Sequence, residues 1–229
     1  MKDQLEFQKP KSFGFFERGL HDNVGSIRII TVGGEYGSGR APIAQAAALA
    51  LGWNLVDSSL IESISRAAHV DCETARHYDE CIDSWFHRLR KALWHGGYEG
   101  VATSTEAGFD ADAMATLAHR VIEEAANQGN CVIVGRGGQC ILQGREDAFH
   151  VFVYGPRRER IDRVVEEHGP IANPEELMDS WDRKREAYIR RHFGHEWTNP
   201  HLYDLMLCSS MGEAVAVAAI LAAARPREH

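Results

Sequence analysis

A glycine-rich loop between an apolar segment and a helical pattern is the stretch best suited to chemistry. The apolar segment, residues 29–32, is rich in β-branched side chains, and four glycines follow it within residues 33–39. An alanine-rich pattern with helical spacing begins directly afterwards. The order strand, glycine loop, helix turns backbone N–H groups toward a phosphate, with the positive end of the helix dipole behind them. We therefore expect a phosphate site, although a plain structural turn also fits the pattern.

The loop has the spacing of a Walker A motif, G-x-x-x-x-G-K-[ST], with both final residues replaced. In that motif the lysine contacts the β- and γ-phosphates and the hydroxyl binds Mg²⁺. Here Arg40 keeps the positive charge in a larger, planar group, while Ala41 offers no metal ligand. The loop therefore predicts phosphate binding more strongly than ATP hydrolysis or phosphoryl transfer. The predicted nucleotide-binding residues are Gly34, Glu35, Tyr36, Gly37, Ser38, Gly39, Arg40 and Ala41.

Two further candidates follow predicted strands. Arg136 comes just after the apolar segment 131–134 and is flanked by glycines at positions 135, 137 and 138. At the carboxyl end of a parallel strand its guanidinium would suit a second phosphate, although pairing with a structural carboxylate is an alternative. Asp57 ends a short strand pattern at 53–57, where it would either face the same crevice or cap the next helix.

The segment 157–191 contains nine lysines and arginines and nine acidic residues, so most of it is expected to form a solvated, salt-bridged surface. Arg185 is the exception, because helical spacing places it within an apolar stripe. That stripe consists of Met178, Trp181, Tyr188 and Ile189. A buried arginine needs an anion, and either the neighbouring Asp182 or a transferring phosphoryl group would serve. Arg157 and Arg160 share a helix face and are weaker candidates.

These residues need a scaffold, and the pattern predicts an α/β fold with a parallel sheet covered by helices on both faces. Strands are expected near 27–32, 53–57, 131–134, 149–154 and 203–208. Helices are expected near 38–51, 58–95, 110–128, 157–168, 174–193 and 211–224. The glycine-rich stretch 95–109 is predicted to be a flexible loop able to cover a site. The length of 229 residues favours one domain, with residues 1–26 as an N-terminal extension.

Composition argues against several classes of protein. A net charge of −8 disfavours a general nucleic-acid or anionic-membrane surface, and no apolar stretch is long enough to span a bilayer. Five cysteines without a C-x-x-C pair indicate reduced thiols in a cytoplasmic protein. The histidines lack the cysteine or acidic spacing typical of a metal site, so we predict no metal ligands.

Several motifs, in order along the chain, resemble the cytidylate kinase-like family of P-loop nucleoside monophosphate kinase folds. They are EYGSG at 35–39, NCVIVGRG at 130–137, FHVFVYGP at 149–156, DRKREAY at 182–188 and WTNPHLYDL at 197–205. The resemblance implies a three-layer P-loop NTPase fold with a five-stranded parallel sheet. It further implies an NMP-binding (acceptor-binding) insertion at 58–110 and a helical lid at 157–193, both within a kinase-like domain at 27–229.

The activity that the resemblance implies is transfer of the γ-phosphoryl group of ATP to a nucleoside monophosphate such as CMP. Residues 34–41 would hold the donor phosphates, and Asp57 and Arg136 the acceptor. Arg40, Arg157, Arg160 and Arg185 would supply catalytic positive charge, with Mg²⁺ held through water. The implied partners are a nucleoside triphosphate and monophosphate, without nucleic acid or membrane; the oligomeric state, a homodimer included, stays open.

Three departures from the family pattern leave two hypotheses. The chain has Gly34 where the family has an arginine, Arg40-Ala41 where it has Gly-Arg, and Gly135 where active kinases carry an acid. One hypothesis is a kinase with slow turnover. The other is a nucleotide-sensing or partner-binding protein on the same fold that is catalytically weakened or inactive. The arginines favour the first hypothesis, and the altered loop favours the second.

Overall fold

The computed structural model describes residues 27–57 and 111–224 of the chain. In this part of the chain the strands are β1 (Ile29–Gly34), β2 (Asn54–Val56), β3 (Cys131–Val134), β4 (Ala148–Tyr154) and β5 (Leu205–Cys208). The helices are α1 (Arg40–Leu51), α2 (Ala111–Gln128), α3 (Gly138–Ile141), α4 (Arg157–His168), α5 (Pro174–Phe193) and α6 (Glu213–Ala223). Short 3₁₀ helices at Pro200–Leu202 and Ser209–Met211 flank β5.

All five strands are parallel and follow the order β2-β3-β1-β4-β5, which places β1 at the centre. On one face Ile30 of β1 belongs to a buried cluster with Ile43 of α1 and Ile220 of α6. On the other face Ile29 packs in a cluster with Ile122 of α2. Because helices cover both faces, the central strands are mostly apolar without alternation, and their buried polar side chains, Thr31 and His150, are hydrogen-bonded to each other at 2.8 Å. Burial on both sides fixes the carboxyl end of β1, where the glycine loop begins.

The predicted α/β class, parallel sheet and helical layers are confirmed. Both α4 and α5 have the predicted bounds, and each is followed by a glycine with positive φ, Gly169 and Gly194. The last strand begins at Leu205, later than predicted, because the backbone N–H of Tyr203 closes the preceding 3₁₀ helix by donating to the carbonyl of Pro200 at 3.1 Å. The Tyr203 hydroxyl donates to the carbonyl of Trp197 at 2.8 Å, and the Asp204 carboxylate accepts from a backbone N–H of β4 at 2.7 Å.

The expected apolar stripe on α5 is only partly buried. Met178 and Ile189 are buried, but the Trp181 side chain is 41% exposed. Trp181 instead stacks on Tyr36 of the glycine loop, with ring centroids 5.8 Å apart. The stripe prediction was therefore wrong for Trp181, because this side of α5 faces a loop and not the sheet.

The predictions for residues 1–26, for the helical segments over 58–95 and for the cover loop at 95–109 lie outside the described residues. Within 27–57 and 111–224, no helix is both long and apolar enough to cross a lipid bilayer.

Candidate functional site

The phosphate loop, residues 34–41, joins the central strand to α1. A Cβ atom on Gly34 would lie 2.3 Å from the carbonyl oxygen of Val153, and one on Gly37 would lie 2.4 Å from that of Arg160. Both positions also have positive φ, so they require glycine. Gly39 is the N-cap of α1, and no side chain caps this helix end. The first N–H groups of α1 therefore lack a side-chain acceptor, as at helix ends that bind anions.

Arg40 folds back against the phosphate loop. Its Nη1 donates to the carbonyl oxygens of Gly34 at 2.8 Å and Glu35 at 3.5 Å, while its buried Nε has no hydrogen-bond partner. Burial, and then repulsion from Arg185, lowers the pKa of Arg40 to about 10. The guanidinium therefore remains charged at neutral pH. A buried N–H without a partner on a charged group is an arrangement that an anionic ligand would satisfy.

Glu35 and Tyr36 use their side chains to anchor the loop. The Glu35 carboxylate accepts from the backbone N–H of Gly155 at 3.0 Å and lies 3.4 Å from Nη1 of Arg160. The Tyr36 hydroxyl is hydrogen-bonded to Nε2 of His168, at the end of α4, at 2.7 Å. The side chains of Glu35 and Tyr36 therefore have structural roles. A contact between a ligand and the backbone of either residue is compatible with those roles.

The two candidate arginines of α4 have different surroundings. The Arg160 side chain is 8% exposed, donates through Nε to the carbonyl of Tyr36 at 2.8 Å, and forms an ion pair with Asp182. Arg157 is 50% exposed and pairs with Asp179 at 2.7 Å, which raises the pKa of Arg157. Arg160 is therefore tied to the phosphate loop, whereas Arg157 lies on the solvent-exposed side of α4.

Arg185 extends from α5 toward the phosphate loop. Its Nη1 lies 3.2 Å from Oδ1 of Asp182, and its guanidinium carbon lies 5.1 Å from the centroid of the Tyr36 ring. Burial lowers the pKa of Arg185, and the Asp182 charge opposes that shift. Of the two anions considered for Arg185, Asp182 is the one that the protein itself supplies. Because a guanidinium has five N–H donors, this pairing leaves donors for a ligand.

The turn after β3 carries three consecutive residues with positive φ, namely Gly135 at 73°, Arg136 at 52° and Gly137 at 77°. The left-handed conformation costs an arginine roughly 1–2 kcal/mol. A Cβ atom on Gly137 would lie 2.5 Å from the ring of Phe193, so α5 packs directly on this turn. The packing brings the end of β3 and the lid helix to opposite sides of one crevice.

A cavity of about 450 Å³ lies between the phosphate loop, the turn after β3 and α5. The positively charged side chains that line it are Arg40, Arg136, Lys184 and Arg185. None of the described residues lining it is acidic. The rest of its wall is formed by Gly33, Gly34, Tyr36, Val134, Gly135, Gly137, Gln139, Trp181, Tyr188, Ile189 and Trp197. A ligand held here would meet several positive charges together with aromatic surfaces.

The structure thus brings together five of the predicted residues, namely Gly34, Tyr36, Arg40, Arg136 and Arg185. Arg157 and Arg160 do not line the cavity. Asp57 is half-buried at the carboxyl end of β2 and lies outside the cavity wall as well.

Sequence reasoning missed Lys184, which lies within a charge-balanced segment, and Gln139, a buried polar residue of α3. Lys184 precedes Arg185 directly in the sequence, and this position could have identified it as a candidate.

Comparison with known proteins shows the family of this chain. A model of the Cytidylate kinase-like family matches residues 29–211. This chain belongs to the cytidylate kinase-like family. The resemblance seen in its motifs is thereby confirmed over residues 29–211. No curated protein matches the chain.

Solved structures share the fold of this family member at low sequence identity. An uncharacterized protein from Eubacterium ventriosum ATCC 27560 is 19% identical, with 85% of this chain and 96% of that chain covered and a TM-score of 0.62. A gluconokinase from Sinorhizobium meliloti 1021 is 14% identical, with 87% and 92% covered and a TM-score of 0.50. A shikimate kinase from Acinetobacter baumannii in complex with shikimate is 16% identical, with 86% and 92% covered and a TM-score of 0.48. The fold is the α/β P-loop kinase fold.

The kinase fold also implies Mg²⁺, and the residues present do not fit direct coordination. Ala41 replaces the hydroxyl that would bind the ion in a Walker A loop. The Ser38 hydroxyl is buried and unpartnered, but a single hydroxyl does not make a site. In the described ranges no group of three or more histidine, cysteine or acidic residues could hold a metal ion.

Proposed function

We propose that this protein is a kinase that transfers the γ-phosphoryl group of ATP to a nucleoside monophosphate such as CMP. The observation that supports this function is the shared cavity, where Arg40 of the phosphate loop, Arg136 of the β3 turn and Arg185 of the lid converge. The three arginines come from separate elements, and two of these, the phosphate loop and the turn after β3, lie at the carboxyl ends of parallel strands, where phosphates bind on α/β sheets. Family membership supports the same class of reaction.

In the proposed reaction an oxygen of the acceptor phosphate attacks the γ-phosphorus of ATP. The bond between the γ-phosphorus and the β–γ bridging oxygen breaks, and ADP leaves with that electron pair. The transition state carries its charge on the phosphoryl oxygens, so catalysis consists of positioning and electrostatic stabilisation. A set of converging guanidinium and ammonium groups supplies both.

The roles divide according to position. Arg40, with those amides of residues 34–41 that do not already donate to protein acceptors, binds the donor phosphates, and Arg136 binds the acceptor phosphate. Arg185 extends from the lid toward the phosphate loop and contacts the phosphoryl group in transfer. Lys184 lines the same cavity. We place Asp57 with the acceptor nucleoside, and Arg157 and Arg160 in a supporting role from the lid. Ala41 offers no ligand to Mg²⁺, so the proposed role of the phosphate loop is limited to the phosphates, and an ion brought by the nucleotide would be held through water.

We place this activity in the cytoplasm. The cysteines in the described ranges, Cys131, Cys140 and Cys208, are all free thiols, as expected where thiols are kept reduced.

A coupled assay of ADP release with ATP and each nucleoside monophosphate tests the proposal. We expect slow turnover with at least one acceptor, and a loss of about 100-fold or more in Arg185→Gln, because a guanidinium on a transferring phosphoryl group contributes at least that much. Glu186→Gln, on the outer face of the same helix, is the matched control. ATP binding without turnover for every acceptor would contradict phosphoryl transfer and leave a nucleotide-sensing protein.

A further inference from the structure

The backbone of Tyr36 is held on both sides by the lid. Its N–H donates to Oδ1 of Asp182 at 2.8 Å, and its carbonyl accepts from Nε of Arg160 at 2.8 Å. Oδ2 of Asp182 is in turn paired with Nη2 of Arg160. These three contacts form a closed ring around one residue of the phosphate loop, with one partner from α4 and the other from α5. The loop tip is thereby fixed to both lid helices at once.

The same carboxylate also holds the cavity arginine. Oδ1 of Asp182 accepts from Nη1 of Arg185, and the Arg185 guanidinium lies over the Tyr36 ring. The Asp182 side chain is only 19% exposed, so its interactions with these charges are weakly screened. One carboxylate, that of Asp182, therefore contacts the loop backbone, the buried Arg160 and the cavity-lining Arg185.

Repulsion from the other cations of the cavity opposes this position of Arg185, so the contact with Asp182 is needed to hold it. Arg40 and Arg185 line one cavity together with two further cations, and like charges in a partly buried site repel one another. Without a local carboxylate, a long arginine side chain would lower its energy by turning toward water. Asp182 keeps Arg185 beside the loop although Arg40 repels it.

We infer that Asp182 is a positioning residue, which fixes the tip of the phosphate loop to the lid and holds Arg185 toward the transferring phosphoryl group. Its effect on rate rests on the proposed phosphoryl transfer, whereas its effect on the loop does not.

Replacement of Asp182 should affect the affinity for a polyanion and the rate of phosphoryl transfer differently. Asp182→Asn removes a negative charge near the bound phosphates, so ground-state affinity for a polyanion should be unchanged or higher. The asparagine oxygen in the place of Oδ1 still accepts from the Tyr36 N–H, but the negative charge that holds Arg185 against repulsion from Arg40 is lost, and an NH₂ group in the place of Oδ2 cannot accept from Arg160. Arg185 then loses its fixed position, and the loss appears in kcat. A residue important only for folding would weaken both properties together.

The experiment compares Asp182→Asn and Asp182→Ala with wild type, and Glu186→Gln is the control. Glu186 lies one turn further along α5 and pairs with the exposed Arg190. Three readouts are hydrogen exchange at the Tyr36 amide, affinity for inorganic tripolyphosphate, and kcat with ATP and the best acceptor. We expect Tyr36 exchange at least about tenfold faster in Asp182→Ala but within about threefold of wild type in Asp182→Asn. Tripolyphosphate affinity should not fall in Asp182→Asn, while kcat should fall about 30-fold or more.

Several results would overturn the inference. They are unchanged Tyr36 exchange in Asp182→Ala, unchanged kcat in Asp182→Asn, or a parallel fall of kcat, affinity and melting temperature. If the alanine variant does not fold, the asparagine variant still decides through the split between affinity and rate. If wild type shows no turnover, the proposed function fails, and the exchange measurement alone decides whether Asp182 holds the loop.

Discussion

Arg136 shows at the scale of one residue how a site is built at a cost to the backbone. Its φ of 52° lies in a region where arginine is strained, between two glycines that adopt the same conformation without strain. A third glycine at position 136 would therefore be better for the backbone alone. The arginine side chain lines the cavity, and this supports the interpretation that its charge is the reason for the strain.

Arg136→Gly tests this interpretation. We expect the free energy of unfolding to stay within about 1 kcal/mol of wild type, because relief of the left-handed strain offsets lost side-chain contacts. Affinity for tripolyphosphate should fall about tenfold, one lost charged contact being worth about 1.4 kcal/mol or more. Arg136→Lys, which keeps both the charge and the strain, is the control. Undiminished affinity in the glycine variant would refute a phosphate-binding role.

Arg40 is a second residue whose role in phosphate binding can be tested by substitution. It bonds two loop carbonyls and remains charged at neutral pH. Arg40→Ala should weaken ATP affinity by about tenfold or more, measured by calorimetry, since both loop closure and a phosphate contact are lost. Arg40→Lys should recover part of the affinity because a single ammonium can still reach a carbonyl or a phosphate. Equal affinity in wild type and the alanine variant would show that Arg40 does not hold the donor.

At the scale of elements, the phosphate loop and α4 are in direct backbone contact at Gly37. Gly37→Ala should destabilise the protein by about 3 kcal/mol, because its Cβ would overlap the Arg160 carbonyl in addition to the cost of positive φ. Gly52→Ala is the matched control, since Gly52 has φ of 67° but no atom within 4 Å of an added Cβ. We expect that variant to lose only about 1 kcal/mol in urea denaturation. Equal losses would mean that the loop and α4 can separate freely.

The two arginines of α4 provide a second comparison between elements. Arg160→Ala should lower the free energy of unfolding by about 3 kcal/mol, because it leaves Glu35 partly buried without its cation and removes one of the two arginines that pair with Asp182. Arg157→Ala should leave the midpoint of urea denaturation unchanged, because its pairs are exposed to solvent. Similar losses in the two variants would contradict the assignment of Arg160 as the link between lid and loop.

At the scale of the whole molecule, a net charge of −8 coexists with a cavity lined by four positive side chains. Binding of anions is therefore a local property of the site and not of the overall field. The mutual repulsion of these cations also means that an anion in the cavity should stabilise the folded protein.

Tripolyphosphate should accordingly raise the melting temperature. At one hundred times its dissociation constant, linkage gives about 2.7 kcal/mol of added stability. Sodium chloride at matched ionic strength should produce a much smaller rise, and Arg185→Gln should reduce the tripolyphosphate effect. An equal rise with both salts would indicate general screening and not a site.

The order of elements around the phosphate loop was readable from sequence because its causes are local. Apolar β-branched residues at 29–32, glycines at 34, 37 and 39, and a helical alanine pattern each constrain the backbone within a few residues. The same holds for α4 and α5, whose ends coincide with glycines of positive φ. Arg40, Arg136 and Arg185 were identified as candidates because each stood out from its immediate surroundings.

Tertiary structure alone decided which charged groups meet. Arg157 and Arg160 looked equivalent on one helix face, yet only Arg160 reaches the loop, where it is buried. Tyr36 and Asp182 are 146 residues apart and are joined only because α5 crosses the carboxyl end of β1. Local sterics and hydrophobic periodicity determine elements, whereas partners of side chains depend on how distant elements pack. For that reason the sequence determined the scaffold and its phosphate loop, and the packing determined the cavity and the Asp182 contacts.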